Sequence, residues 1–134
     1  MNFVSIRIIT GDARRLVTFY EQVTGIAATW FTPDFAELAT PSGTIAIGHE
    51  RTLALFGADI ARPGANHSVI VEFLVDDVDA HHQRLTSALG EVVQAPTTMP
   101  WGNRSLLFRD PDGNLVNLFT PVTPEAIRKF DRRR

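Results

Sequence analysis

The stretch "SLLFRDPDGNLVNLFTP", residues 105–121, consists of two apolar runs separated by a polar turn sequence. Pro111 restricts φ and Gly113 can adopt the positive φ that closes a tight turn, so the stretch predicts a β-hairpin. The second apolar run contains one amide, Asn117. Its side chain must hydrogen-bond either a bound molecule or its neighbours, which makes Asn117 the first candidate for a functional residue.

The chain contains two copies of one unit, and the matching stretches are "SIRIITGDARRLVTFYEQVTG" (5–25) with "IVEFLVDDVDAHHQRLTSALG" (70–90), and "TPSGTIAIG" (40–48) with "DPDGNLVNL" (110–118). Asp12 aligns with Asp77, and Gly25 aligns with Gly90. Each copy predicts a strand, a helix that begins at the Asp and is closed by the Gly, and about three further strands. We therefore expect two βαβββ units.

Apolar residues lie at helical spacing after each Asp, so one side of each helix is expected to be buried. In the first helix these residues are Leu16, Phe19, Tyr20 and Val23. In the second helix they are Val78, Leu85 and Leu89.

The length of 134 residues predicts one domain, because a chain of this size can surround a single core. The expected boundaries are unit one at about 3–56, a linker at about 57–67, unit two at about 68–121 and a C-terminal helix at about 124–131. Thr123 is the expected cap of that helix, with Pro124 in its first turn.

The composition excludes several classes of function. With 13 Lys+Arg and 15 Asp+Glu, the net charge of −2 argues against a nucleic-acid partner or a membrane-surface partner. The basic residues near the C-terminus are expected to be solvated; they are Arg128, Lys129, Arg132, Arg133 and Arg134. Because the chain has no cysteine, disulfides, thiolate zinc sites and cysteine nucleophiles are excluded. No leader or membrane-spanning pattern is present in the sequence, so a cytoplasmic location is expected.

Three stretches resemble the vicinal oxygen chelate superfamily, which includes glyoxalases, bleomycin-resistance proteins and extradiol dioxygenases. They are "DARRLVTFYEQVTG", "VEFLVDDVDAHHQRL" and "PTTMPWGNRSLLFRDPDGNLVNLFTP", and the resemblance covers about residues 3–121. It implies an α+β fold in which the tandem βαβββ units form a curved mixed-sheet cup. It also implies a homodimer, and it leaves open whether the units pair within one chain or swap between chains.

In the metal-dependent members of the superfamily, four inward side chains from the first and last strands hold one divalent ion. Carried onto this sequence, the positions fall on Ser5, Ile47, Ile70 and Asn117. None is a His or Glu, which are the usual ligands of such an ion. We therefore expect no metal and no cofactor. A shifted metal site from His49, Glu50 and His67 is the alternative, whereas His81 and His82 lie on the second helix and are interpreted as surface or helix-packing residues.

Side-chain alternation along the strands extends the list of candidate ligand-binding residues. If Ser5 and Ile70 face the cup, so do Arg7 and Glu72, which are equivalent in the repeat. These opposite charges either pair with each other or meet a polar group of a ligand. Phe119 is expected to share the face of Asn117.

Three further groups of residues bear on binding or catalysis. Trp101 lies on the loop before the penultimate strand, where an aromatic ring can stack on a planar ligand, and Trp30, Phe31 and Phe35 are further aromatic candidates from unit one. Glu72 is a weak candidate for a general base. Asp110 and Asp112 are interpreted as turn residues that accept backbone hydrogen bonds.

The function predicted from these residues is metal-free binding of a small, amphipathic and aromatic compound. The resemblance to the bleomycin-resistance proteins makes antibiotic resistance the expected biological role. The alternative is an enzyme, and whether the protein is one stays open. It would be a metal-dependent lyase, isomerase or dioxygenase with a non-standard ligand set, or a metal-free isomerase that uses Glu72. A third hypothesis is a binding module that passes on a ligand or partner signal.

Overall fold

The computed structural model describes residues 1–57 and 59–131, and the chain divides into two compact units, Met1–Asn66 and His67–Arg134. Of the basic C-terminal residues, Arg132, Arg133 and Arg134 lie outside the described residues. None of the helices in the described ranges is long and apolar enough to cross a membrane.

Unit one is a four-stranded mixed sheet with one α-helix. Its elements are β1 (Ser5–Thr10), α1 (Ala13–Thr24), β2 (Thr29–Thr32), β3 (Phe35–Ala39), β4 (Thr44–His49) and a 3₁₀ helix (Glu50–Leu55). The strand order is β1-β4-β3-β2. Strand β4 pairs parallel with β1 and antiparallel with β3, and β3 pairs antiparallel with β2.

Unit two repeats this topology and adds a helix at its end. Its elements are β5 (Ile70–Leu74), α2 (Val78–Leu85), β6 (Val92–Thr98), β7 (Asn103–Arg109), β8 (Leu115–Pro121) and α3 (Pro124–Phe130). The strand order is β5-β8-β7-β6, with β8 parallel to β5 and antiparallel to β7. The predicted α+β class, the two βαβββ units and the short C-terminal helix are confirmed.

The first helix begins and ends where the sequence predicts. The side chain of Asp12 accepts a hydrogen bond from the backbone N–H of Arg15 at 3.1 Å. At the other end, Gly25 adopts a left-handed φ of 72° and donates its N–H to the carbonyl of Glu21 at 2.8 Å. The predicted apolar residues Leu16, Phe19, Tyr20 and Val23 are all buried.

The second helix is shorter than predicted. Asp77 caps it, accepting from the N–H of Ala80 at 3.1 Å, but the helix ends at Leu85 with Thr86 as its C-cap. The prediction that Gly90 closes this helix is wrong. The hydroxyl of Thr86 donates to the carbonyl of His82 at 2.9 Å, so a free carbonyl of the last turn is satisfied before Gly90 is reached.

The two hairpin turns that look alike in sequence are built differently. In unit two, Gly113 has a φ of 87° and the buried carboxylate of Asp110 accepts from the N–H groups of Asp112 and Asn114, both at 2.9 Å. The predicted turn role of Asp110 is confirmed. The matching Pro-polar-Gly sequence of unit one predicts the same turn, closed by a positive φ at Gly43, but Gly43 does not have a positive φ, so that prediction is wrong. There the hydroxyl of Thr40 closes the turn by donating to the carbonyl of Gly43 at 2.6 Å.

One face of each sheet packs against its helix, and we call it the helix face. In unit one, Arg14 of α1 lies over the ring of Trp30 at 5.7 Å. Trp30 pairs in register with Ala36, and Ala36 with Ile47, so these residues lie on the helix face. Trp30 therefore contacts the helix rather than the opposite face.

In unit two the helix face is identified by hydrogen bonds and an ion pair to α2. The hydroxyl of Thr120 accepts from the backbone N–H of Val78 at 2.9 Å, and Arg104, which pairs in register with Thr120, forms an ion pair with Asp79 at 2.8 Å. We call the other face of each sheet the opposite face.

Helix α3 packs against the turn between β6 and β7. Thr123 caps it, accepting from the N–H of Ala126 at 3.3 Å, as predicted. The carbonyl of Gly102 accepts from the N–H of Val122 at 2.8 Å, and Gly102 itself has a φ of 94°. A Cβ at position 102 would collide with the side chain of Thr123.

Replacing Gly102 with Ala is therefore expected to lower the free energy of unfolding by about 3 kcal/mol, since the left-handed backbone is strained by a Cβ and the new methyl group meets Thr123. Urea denaturation monitored by circular dichroism measures the change.

Gly113→Ala is the matched control. Its φ of 87° is also left-handed, but a Cβ there would have no atom within 4 Å, so only the strain remains, about 1–2 kcal/mol. Equal losses for the two variants would contradict the packing role of Gly102.

Candidate functional site

The register of unit one decides which residues share the opposite face. Ser5 pairs with Thr44, Arg7 with Ala46, and Ile8 with Ile47. Because paired residues point to the same side of a sheet, Ile47 lies on the helix face, where it is completely buried. The prediction that Ile47 shares a face with Ser5 is wrong.

The error arises in the turn before the last strand. In unit two Leu115 pairs with Ile70, and Asn114 lies between Gly113 and the strand, whereas in unit one the strand follows Gly43 directly. Aligning the two glycines therefore shifts unit one by one residue, and a shift of one residue exchanges the two faces of a strand.

The corrected equivalent of Asn117 is Ala46. Glu72 pairs with Asn117 and its equivalent Arg7 pairs with Ala46. The four positions at which the resemblance implies metal ligands are therefore Ser5, Ala46, Ile70 and Asn117. They offer one hydroxyl and one amide but no imidazole and no carboxylate, so this donor set does not fit a catalytic divalent cation. Among the described residues, no group of three or more His, Cys, Asp and Glu is arranged to hold a metal ion.

The histidines outside these positions have local structural roles or are exposed. His49 pairs with Thr10 on the helix face, and its Nδ1 accepts from the N–H of Arg51 at 3.0 Å, which caps the 3₁₀ helix. Glu50 and His67 are exposed. These contacts give no support to the alternative metal site of His49, Glu50 and His67.

His81 and His82 lie on α2, as the sequence predicts. Both are half-buried, and Nδ1 of His81 lies 2.7 Å from a guanidinium nitrogen of Arg84. Burial, and then the neighbouring charge of Arg84, lower the pKa of His81. His82 lies on the same helix, so neither histidine belongs to the positions discussed above.

An arginine and three phenylalanines form a cluster in unit one, which we call the Arg7 cluster (Arg7, Phe31, Phe35 and Phe56). The guanidinium of Arg7 lies 5.0 Å from the ring centroid of Phe35 and 5.9 Å from that of Phe56. The rings of Phe31 and Phe35 are 6.0 Å apart. Phe56 is 65% exposed and Phe31 60%, and within the described ranges no carboxylate forms an ion pair with Arg7.

Strand alternation predicts Arg7, and the sequence around β2 and β3 offers Phe31 and Phe35 as aromatic candidates, but Phe56 was not predicted. The 3₁₀ helix after β4 brings Phe56 back to the sheet, where its N–H is bonded to the carbonyl of Leu53 at 2.9 Å. No pattern in the sequence marks Phe56 as a neighbour of Arg7.

In unit two, Asn117 and Glu72 are joined by a hydrogen bond. The Nδ2 of Asn117 donates to Oε2 of Glu72 at 2.8 Å. Asn117 is 8% exposed, and its Oδ1 is buried with no hydrogen-bond partner among the residues described, whereas Glu72 is exposed. An unpaired buried acceptor costs about 1–3 kcal/mol, so the amide does more than fill space.

Of the remaining predicted site residues in unit two, Trp101 lies apart from this pair. Trp101 is 67% exposed in the turn before β7. Leu107, the partner of Asn117, lies four positions after Asn103 at the start of β7, which corresponds to about 13 Å along the strand. The structure therefore does not bring Trp101 beside Asn117.

Phe119 is on the predicted face but has a packing partner. Its ring lies edge-on to the ring of Phe130 in α3, with centroids 5.1 Å apart, and Phe119 is 7% exposed. Ile70 is 46% exposed and Ser5 is half-buried. A ligand-binding role for these residues stays a prediction.

The model of the Glyoxalase/Bleomycin resistance protein/Dioxygenase superfamily matches residues 2–118. The chain is 24% identical over 125 residues to the Bacillus subtilis (strain 168) protein named "Uncharacterized protein YraH", with coverage of 89% of this chain and 98% of that protein.

Solved structures of similar fold include a glyoxalase/bleomycin resistance protein/dioxygenase family enzyme from Burkholderia phytofirmans PsJN. It has a TM-score of 0.81 and 20% identity, covering 91% of this chain and 100% of that one. TioX from Micromonospora sp. ML1 has a TM-score of 0.68 and 24% identity, covering 91% and 100%. At these identities the likeness shows a common fold.

Because Ser5, Ala46, Ile70 and Asn117 form a poor donor set, protein purified without chelator is expected to hold well below one equivalent of Zn, Ni, Mn or Fe per chain. Mass spectrometry of the metals measures the content. Adding each ion in excess is expected to leave the melting temperature unchanged. One tightly held equivalent of any of these metals would contradict the prediction.

Proposed function

The chain belongs to the Glyoxalase/Bleomycin resistance protein/Dioxygenase superfamily, and from this premise we propose that it is a small-molecule binding protein that sequesters or recognises an amphipathic, aromatic compound. Binding requires no divalent metal. The observation that carries the proposal is the Arg7 cluster, in which a cation lies over the half-buried ring of Phe35 and the largely exposed ring of Phe56.

The cluster combines the two kinds of contact that an amphipathic aromatic molecule needs. Exposed phenylalanine rings gain about 1.5–3 kcal/mol each when they are buried completely, so covering Phe31 and Phe56 would favour binding. The guanidinium of Arg7 carries five N–H donors, and it is exposed. An acidic or other acceptor group on the ligand can therefore bind Arg7 while its ring packs on the phenylalanines.

The enzyme alternatives have less support in the residues present. A metal-dependent lyase, isomerase or dioxygenase needs ligands that Ser5, Ala46, Ile70 and Asn117 do not supply. A metal-free isomerase rests on Glu72 alone, and among the described residues no second acid or base is hydrogen-bonded to its carboxylate. The third hypothesis is a binding module that passes on a signal. Such a module would also have to bind the small molecule, so it shares the binding step with the proposed function.

The identity of the ligand as an antibiotic is part of the proposal and rests on the resemblance to bleomycin-resistance proteins. The cytoplasmic location of the protein is also a proposal, and its support is the sequence pattern alone. A homodimer rests on the resemblance as well.

We expect 8-anilinonaphthalene-1-sulfonate, an aromatic anion, and doxorubicin, which has a planar aromatic ring system and an aliphatic amino group, to bind the folded protein. Their own fluorescence gives the dissociation constants. Arg7→Met is expected to weaken the sulfonate by about tenfold, which corresponds to about 1.4 kcal/mol, because it removes the cation and keeps an apolar side chain. Trp101→Leu tests the exposed indole in the same titration.

Two matched variants serve as controls for these titrations. Arg62→Met removes an exposed arginine outside the Arg7 cluster, and Trp30→Leu removes the tryptophan that contacts α1. Both are expected to leave the affinities unchanged. The proposal fails if neither compound binds, or if Arg7→Met and Arg62→Met have the same effect.

The proposed homodimer is tested by light scattering coupled to size-exclusion chromatography. The expected result is a mass of twice the chain at micromolar concentration. A mass of one chain across the concentration range would contradict it, without affecting the binding proposal.

A further inference from the structure

We infer that Glu72 and Asn117 recognise a protonated nitrogen group of the ligand: an amidine, a guanidine or a primary amine with at least two N–H donors. The inference rests on the proposed function, because it names the chemical class of the molecule that is bound. Both residues lie on the opposite face of the sheet of unit two.

The orientation of the Asn117 amide follows from the hydrogen-bonding chemistry of Glu72. An ionised carboxylate can only accept hydrogen bonds, so the group of Asn117 that lies 2.8 Å from Oε2 of Glu72 must be the NH₂ group. The carbonyl oxygen Oδ1 consequently points away from Glu72. It is buried, and among the described residues it has no donor.

Packing alone does not explain the amide. On the opposite face, Asn117 lies between Leu115 and Phe119 of the same strand, and its partner on β7 is Leu107. A leucine at position 117 would match these apolar neighbours in size and would leave no unpaired oxygen. The amide contributes two things that leucine lacks: a donor that orients Glu72 and an acceptor that is still free.

Apart from the second N–H of the Asn117 amide, the two side chains present acceptors. Glu72 is exposed, so a ligand can reach its carboxylate from solvent, and in the described part of the chain no Lys or Arg forms an ion pair with it. A carboxylate beside an amide oxygen is complementary to a cation that carries several N–H groups. Because Oδ1 itself is closed off from solvent, it meets its donor after a rearrangement of the Asn117 side chain.

The equivalent position in unit one has the opposite character. There Arg7 pairs in register with Ala46, which carries no polar group, and the guanidinium rests on aromatic rings. The equivalent side chain in unit two is that of Glu72, an anion that accepts a hydrogen bond from the amide of Asn117. The preference for a cationic nitrogen is therefore assigned to unit two.

Four naphthalene compounds that differ only in their head group test the inference: 2-naphthamidine, 2-(aminomethyl)naphthalene, 2-naphthalenemethanol and 2-naphthoate. Isothermal titration calorimetry is expected to show the amidine binding about tenfold more tightly than the neutral alcohol. In ¹⁵N NMR spectra, the side-chain NH₂ signals of Asn117 are expected to shift with the amidine more than with the alcohol.

Two substitutions connect this preference to the pair. Glu72→Gln keeps a hydrogen-bonding group of the same size and removes the charge, and Asn117→Leu removes the free acceptor. Both are expected to abolish the tenfold preference for the amidine. The melting temperature of Asn117→Leu is expected to stay the same or rise, since an unpaired buried oxygen is lost. A residue that only stabilises the fold would show the reverse, a lower melting temperature with the preference intact.

The outcomes separate this inference from the proposed function. If the compounds bind without any preference for the nitrogen cations, or if the preference survives in both variants, the inference is overturned while the protein remains a binder of aromatic compounds. If none of the four binds and the sulfonate and doxorubicin also fail, both proposals are overturned.

Discussion

The parallel pairing of the first strand with the last strand of each unit is the constraint on which the rest of the structure depends. It joins the two ends of a βαβββ unit and fixes which side chains share a face, because register-paired residues point to the same side of a sheet. In unit one it places Arg7 beside Ala46, and in unit two it places Glu72 beside Asn117. A single added residue, Asn114, between the turn and the last strand of unit two is enough to change which positions of the two copies correspond.

Much of the fold could be predicted from the sequence because its signals are local. Asp12 and Asp77 cap their helices, and the apolar spacing of α1 identifies its buried side. The failures occur where two local signals compete. Gly90 looks like a helix stop, but the hydroxyl of Thr86 satisfies the helix earlier. The Pro and Gly of the two turns look alike, yet Thr40 closes one turn and Asp110 organises the other.

The candidate site could be predicted less well, because it depends on contacts between residues that are distant in sequence. Alternation along the strands identified Arg7, Glu72 and Asn117, since a strand's own periodicity carries that information. It could not reveal Phe56, which reaches Arg7 through a 3₁₀ helix that no pattern marks. The alignment of the two turn sequences placed Ile47 on the wrong face, because the register of β4 is set by pairing with β1 and not by the turn sequence.

The presence of an uncharged amide at position 117 follows from its neighbour Glu72. A carboxylate there would lie 2.8 Å from the carboxylate of Glu72, where both could not stay ionised, and a leucine would leave Glu72 with no group to orient it. Asparagine supplies the donor that Glu72 requires and keeps an acceptor of its own. The same choice removes an anionic oxygen that a divalent cation would need. One side chain at position 117 therefore cannot both donate a hydrogen bond to Glu72 and supply an anionic oxygen to a metal ion. Asn117 donates the hydrogen bond.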